Sequence, residues 1–184
     1  MKLQHSKLIR LAGVALVIGF LYWVATAYII PIREMEKYSA RLLAALEKPR
    51  EVTLVEFERD TLTPDEMIFK KVIATPDQIA SLRSIAGSWF APLPDYMAFC
   101  FYPHHRIEIV REDGTRERLE VCFQCRNFSF DRTDIATLPD VWRTKLLKFF
   151  TDAGMPPLDD YSDKTKAHPD FERFERKRIE SEAR

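Results

Sequence analysis

The sequence predicts an α+β protein with one N-terminal transmembrane helix, followed by an antiparallel sheet domain with helices packed on one face. Three observations predict it. Residues 11–32 carry no charge between Arg10 and Arg33. Short runs of β-branched and aromatic residues are bounded by turn residues, as strands are. Two segments, opened by Thr75-Pro76 and by Pro139, repeat apolar residues at three- and four-residue steps.

Residues 1–10 form a short basic tail with Lys2, Lys7 and Arg10. Residues 11–32 (LAGVALVIGFLYWVATAYIIPI) are then long enough, if helical throughout, to cross roughly 30 Å of hydrocarbon. The expected partner of this stretch is the lipid bilayer and the expected location a membrane, crossed once, the inner membrane if the chain is bacterial. Flanking basic residues tie, three on each side, counting Arg33, Lys37 and Arg41 after the span. The free amino terminus tips the N-terminus inside. A cleaved secretory signal ending at Ala25-Thr26-Ala27 is the rival reading, opposed by the apolar Tyr28-Ile29-Ile30 that follows.

Residues 33–48 read as an amphipathic stalk helix, with Met35, Tyr38, Leu42, Ala45 and Leu46 on one face and Pro49 as its stop. Residues 49–156 form the α+β domain. Val52–Phe57 and Met67–Ala74 read as strands joined through Thr61–Asp65. Thr75-Pro76-Asp77-Gln78 has the form of a capping box with proline in the first turn, opening a helix to about Phe90. Its apolar face is Ile79, Leu82, Ile85, Ala86, Trp89 and Phe90, and Ala91–Asp95 breaks it. A second helix, from about Asp140 to Ala153, presents Trp142, Leu146, Phe149 and Phe150 and ends at Gly154. Residues 157–184 are a charged C-terminal tail, partly helical from Phe171, where Glu172 and Arg176 are spaced for an i,i+4 pair.

Composition excludes several functions. With 28 basic and 28 acidic side chains the net charge is zero, so no bulk counterion release draws the chain to nucleic acid, and no nucleic-acid partner is expected. Five glycines, at 13, 19, 87, 114 and 154, are too scattered for a dinucleotide fingerprint or a P-loop. There is no H-E-x-x-H and no G-x-S-x-G. A hydrophobic content of 46% with 13 Phe supplies a core.

The informative region runs from Met97 to Phe130. Glu112-Asp113-Gly114 between two β-rich runs marks a hairpin turn. A three-residue loop with Gly114 left-handed pairs Glu108 with Arg118, Arg106 with Glu120 and Ile107 with Leu119, matching charge with charge and apolar with apolar. A two-residue Asp113-Gly114 loop would set Ile107 against Glu120. Extended, the preferred register puts His104 opposite Cys122, with Cys100 on the same parity. Cys122-Phe123-Gln124-Cys125 is a C-x-x-C able to turn both sulfurs to one point as a knuckle. Cys100, His104, Cys122 and Cys125 thus form a candidate structural Cys3His zinc site, with His105 the alternative nitrogen ligand. The same residues also read as a Cys122–Cys125 disulfide or redox pair, or as plain packing with Cys100 a small buried hydrophobe.

The elements Cys100-Phe101-Tyr102-Pro103-His104-His105 and Cys122-Phe123-Gln124-Cys125 resemble uncharacterised bacterial membrane-anchored proteins with a C-x-x-P-x-H element followed by C-F-x-C. The resemblance covers the hairpin region and implies no activity. The expected function is a non-enzymatic interaction or accessory domain with a protein partner. The alternative is a thiol-redox or metal-dependent enzyme using the C-x-x-C. Binding of anionic lipid through Arg33, Lys37 and Arg41 is opposed by the interspersed Glu34 and Glu36.

Overall fold

Antiparallel pairing dominates this chain, and its register follows from cross-strand matching of charge and hydrophobicity. The structure, a computed structural model, describes residues 2–26, 30–59, 65–88, 100–131 and 134–182, and divides into two compact units, Met1–Tyr38 and Ser39–Arg184. Trp89, Phe90, the Ala91–Asp95 breaker and most of the Thr61–Asp65 connection lie outside the described residues.

The first unit corrects the membrane reading. Helix α1 (Lys2–Val24) gives way to a π turn at Ala25 and Thr26, and helix α2 begins only at Ile30 (Ile30–Glu47). At the turn, Thr26 Oγ1 donates back to the Tyr22 carbonyl at 2.9 Å, a bond that bends helices. The part of α1 that falls in the uncharged run is Leu11–Val24, 14 residues. At 1.5 Å per residue it spans about 21 Å, short of the roughly 30 Å of hydrocarbon. Among the described residues no helix is long and apolar enough to cross a membrane. The transmembrane helix at 11–32 and the single-pass inner-membrane location with the N-terminus inside are therefore set aside. An uncharged run measures composition and not the length of α-helix within it, which ends at Val24.

The second unit is built on a six-stranded sheet, ordered β2-β1-β3-β4-β5-β6. Its strands are β1 (Pro49–Arg59), β2 (Glu66–Ile73), β3 (His105–Arg111), β4 (Arg116–Cys122), β5 (Asn127–Phe130) and β6 (Asp134–Thr137), with every neighbouring pair antiparallel. The hairpin has the expected register, with Arg106 opposite Glu120, Ile107 opposite Leu119 and Glu108 opposite Arg118. Its turn is the three-residue one. Arg111 N–H donates to Thr115 O at 2.9 Å. Gly114 has φ +84°, a left-handed conformation open to glycine at little cost.

Side chains alternate between the two sheet faces. One face gathers Val52, Leu54, Ile107, Ile109, Leu119, Val121, Phe128 and Phe130, all buried. Helix α4 (Asp140–Asp152) covers it, with the Trp142 ring 5.6 Å from that of Phe128. Helix α3 (Pro76–Ala86) contacts α4 and opens with the expected capping box: Thr75 Oγ1 accepts from Gln78 N–H while Gln78 Oε1 accepts from Thr75 N–H. The later part of α2 joins this side. Arg41 reaches Glu117 at 2.6 Å, and Ser39 Oγ donates to Ala86 O at 2.7 Å. Helix α3, helix α4 and the later part of α2 are thus linked on this side of the sheet.

The opposite face carries charge. Arg106 pairs with Glu66 at 2.8 Å and with Glu108 at 2.8 Å, and Arg59 with Glu120 at 2.5 Å. Both guanidinium groups stack over the Phe57 ring, at 4.6 and 5.0 Å. Burial works against ionisation of Glu66, but hydrogen bonds from Arg106 and Arg59 outweigh it and hold its carboxyl below the usual carboxylate range.

Beyond α4 the chain returns along the sheet. Gly154, at φ +71°, closes α4 with Met155 N–H donating to Phe150 O at 2.8 Å. The tail then forms α5 (Ser162–Lys166) and α6 (Phe171–Glu182). It is tied to the strands by Lys164 to Glu56 and by a His168 ring nitrogen 3.2 Å from Ile68 O.

Candidate functional site

The ladder between β3 and β4 ends at His105 opposite Val121, so the segment 100–104 and the turn 123–126 emerge from the same end of the hairpin. Cys122 closes β4 and pairs with Asn127 at the start of β5. Four residues separate them, and the last, Arg126, takes a left-handed conformation at φ 54°. The C-x-x-C thus forms a tight turn. It aims the Cys125 N–H at the Cys122 sulfur, 3.1 Å away.

Cys100 comes to the same place. Its Sγ lies 2.9 Å from Cys125 Sγ, and its carbonyl accepts from Asn127 Nδ2 at 3.1 Å. All three cysteines are free thiols, with Cys100 exposed and Cys122 and Cys125 buried. Burial is the largest influence raising the Cys125 thiol, and the hydrogen bond with Cys125 is the largest raising that of Cys100. Two thiolates on one tetrahedral zinc stand about 3.8 Å apart, given Zn–S bonds of about 2.3 Å. Cys100 and Cys125 are closer than that. Among the described residues no group of three or more His, Cys, Asp or Glu side chains is arranged to hold a metal ion.

His104 does not join the sulfurs. Its carbonyl accepts from Phe57 N–H at 2.9 Å, which ties it to β1, and the β3–β4 ladder ends one residue away, at His105 opposite Val121. Its Nδ1 lies 3.3 Å from Phe57 O and 3.3 Å from Glu58 Oε2. Both oxygens only accept, so Nδ1 carries the proton. The ring stacks on Tyr161 with centroids 3.8 Å apart and planes 10° from parallel. His105, the alternative ligand, is a core residue. Its Nε2 donates to Met155 O at 3.0 Å, and its ring packs against Phe150 and Phe123. Burial, with smaller contributions from His104 and Lys164, drives its pKa down to about 3, so it is neutral at physiological pH.

His104 instead lines a cleft of about 530 Å³. Pockets that hold small ligands run from about 300 to 1,000 Å³, so this one has the volume of a binding site. At its base the Tyr102 hydroxyl is 2.5 Å from Glu58 Oε1 and 2.8 Å from Arg59 O, donating its proton to one at a time. Aromatic walls come from Tyr102, Tyr161, Phe171 and Phe174. The carboxylates are Glu58, Asp159, Asp160 and Glu175, against the cations Lys166 and Arg178. Arg178 is already paired with Glu175 at 2.8 Å, which leaves the cleft acidic on balance. Burial raises the Tyr161 phenol far above its ordinary range, so its ring remains neutral.

No family model matches the chain, and comparison with curated proteins and solved structures finds no match. Function here has to come from the site. Sequence reasoning found the thiols but missed Glu58, Tyr102 and Tyr161. Its nearest cue to the last was a lone aromatic between Asp159-Asp160 and Ser162-Asp163 in an otherwise polar stretch.

Proposed function

We propose that this chain is a non-enzymatic binding domain whose cleft beside His104 receives a cationic side chain from a protein partner. The observation that carries the reading is the composition of the cleft, four carboxylates and four aromatic rings in one concavity of about 530 Å³. Carboxylates attract an ammonium or guanidinium group by Coulomb's law, and aromatic faces attract it through the ring quadrupole. The thiols support a binding role over a redox enzyme. Catalytic thiols are held as thiolates by a lowered pKa, whereas those of Cys100 and Cys125 are raised.

The test is titration of the full chain with N-acetyl-lysine amide, N-acetyl-arginine amide, and the uncharged N-acetyl-norleucine amide, followed by heteronuclear NMR. The cationic amides should shift the signals of Tyr102, Tyr161 and Phe174, weaken with salt, and bind about three- to tenfold less well to Asp159→Asn. Equal binding of the norleucine compound, or no shift with any of the three, refutes the proposal.

A further inference from the structure

We infer that Cys100 and Cys125 form a site of reversible oxidation, closing a disulfide by exchange with a low-molecular-weight disulfide while Cys122 stays reduced. The two sulfurs lie 2.9 Å apart, in hydrogen-bond contact. Asn127 Nδ2 donates to the Cys100 carbonyl at 3.1 Å, fixing the exposed strand entry against the knuckle. Tyr102 N–H donates to the Cys125 sulfur from the same entry. Cys122 also hydrogen-bonds the Cys125 side chain, but its sulfur is engaged by the Cys125 N–H, which it accepts at 3.1 Å, and it lies buried at the end of β4.

Exposure sets the order of events. Cys100 is the exposed thiol, and the other two are buried. The Cys100 thiol loses its proton to solvent, and its thiolate attacks one sulfur of the small disulfide. That bond breaks, one small thiolate leaves, and a mixed disulfide remains on Cys100. Cys125, as thiolate, then attacks the Cys100 sulfur and expels the second small thiolate. The protein loses two electrons and two protons, and the small disulfide becomes two small thiols. The hydrogen bond between the two thiols keeps Cys100 protonated and slows the first step. The second is intramolecular between neighbours already in contact, so the mixed disulfide does not accumulate.

The experiment uses the full chain, reduced without oxygen and then exposed to oxidised glutathione. Remaining thiols are alkylated, the protein is cut with trypsin without reduction, and the peptides are sequenced by mass spectrometry. Cys122 and Cys125 share the tryptic peptide Leu119–Arg126, while Cys100 lies on another, so the pairing is read directly on the unmutated protein. The expected product is a cross-link between those two peptides with the alkyl group on Cys122, returned to three alkylated thiols by dithiothreitol. Cys122→Ser should keep the cross-link and Cys100→Ser should lose it. A loop within Leu119–Arg126, a glutathione adduct that stays on Cys100, or one bound zinc per chain that blocks the reaction until a chelator is added would each overturn the inference.

Discussion

Acidification tests how completely the core encloses His105. Its Nε2 is committed to Met155 O, its ring lies among Phe123, Phe150 and Tyr161, and burial lowers its pKa from 6.5 to about 3. In the unfolded chain the same ring protonates near 6.5. Below that pH the unfolded state binds a proton that the folded state refuses, so the contribution is fully present above about pH 6.5 and is lost as pH falls toward 3. Between pH 8 and pH 5 the two binding curves differ by about 1.5 pH units of protonation free energy, or about 2 kcal/mol at 1.36 kcal/mol per unit. For a chain of this size that is roughly 4–8 °C in Tm. The assay is urea unfolding of the parent and of His105→Gln at both pH values. Glutamine keeps an N–H for Met155 O but does not titrate. His104 and His168 remain in both proteins, so their contributions cancel in the comparison. The parent should lose about 2 kcal/mol more than the variant on moving to pH 5. Equal losses would mean that His105 takes up its proton in the folded state and that its enclosure has been overstated.

Two further substitutions test how the end of α4 and the C-terminal segment are held. Gly154→Ala should cost about 1–2 kcal/mol, read as a Tm lowered by roughly 3–6 °C. The reason is that φ is +71° and an added Cβ would stand 2.5 Å from Lys70 Nζ, which now donates to Ala153 O and Gly154 O. Lys164→Met should cost about 2–3 kcal/mol and speed proteolysis of the segment after Pro157, because it strands the carboxylate of Glu56, which is 0% exposed and whose Oε2 has no partner among the described residues. Adding Glu56→Gln to that variant should restore most of the loss, since the buried charge is then gone.

What the sequence revealed and what it hid follow from the range of the interactions. The hairpin register was legible because each cross-strand pair between Arg106 and Glu120 or Ile107 and Leu119 is a local match that a slip would spoil. The tight turn at Cys122–Cys125 was legible because four consecutive residues build it. His104 was misplaced because setting it opposite Cys122 assumes the β3–β4 ladder runs one residue beyond His105, and the ladder ends at His105 opposite Val121. The cleft was illegible for a different reason. Glu58 and Tyr161 are brought together only when the tail docks through Lys164 and His168, and no period or motif records a contact between strand β1 and a polar segment so far along the chain. In the N-terminal unit a count of uncharged residues could not show that the α-helix stops at Val24.

The buried charges explain why the site is assembled at all. Arg106 and Glu120 are 4% and 0% exposed, and such a pair is poor value as a source of stability because desolvation cancels much of its attraction. Its force is selective. A one-residue slip of β3 against β4 would turn Arg106 or Glu120 toward the face covered by Trp142 and α4, away from Glu66, Glu108 and Arg59, which now pair with them. The same slip would move the start of β3 past the end of β4. Those two ends carry the Cys100–His104 segment and the Cys122–Cys125 knuckle, so the register that keeps the guanidinium groups over Phe57 also brings the Cys100 and Cys125 sulfurs together. Replacing Arg106 and Glu120 jointly with Leu and Val would therefore preserve much of the stability while loosening the alignment. The thiol pair should report that first, as a fall in the yield of the Cys100–Cys125 cross-link before any fall in Tm.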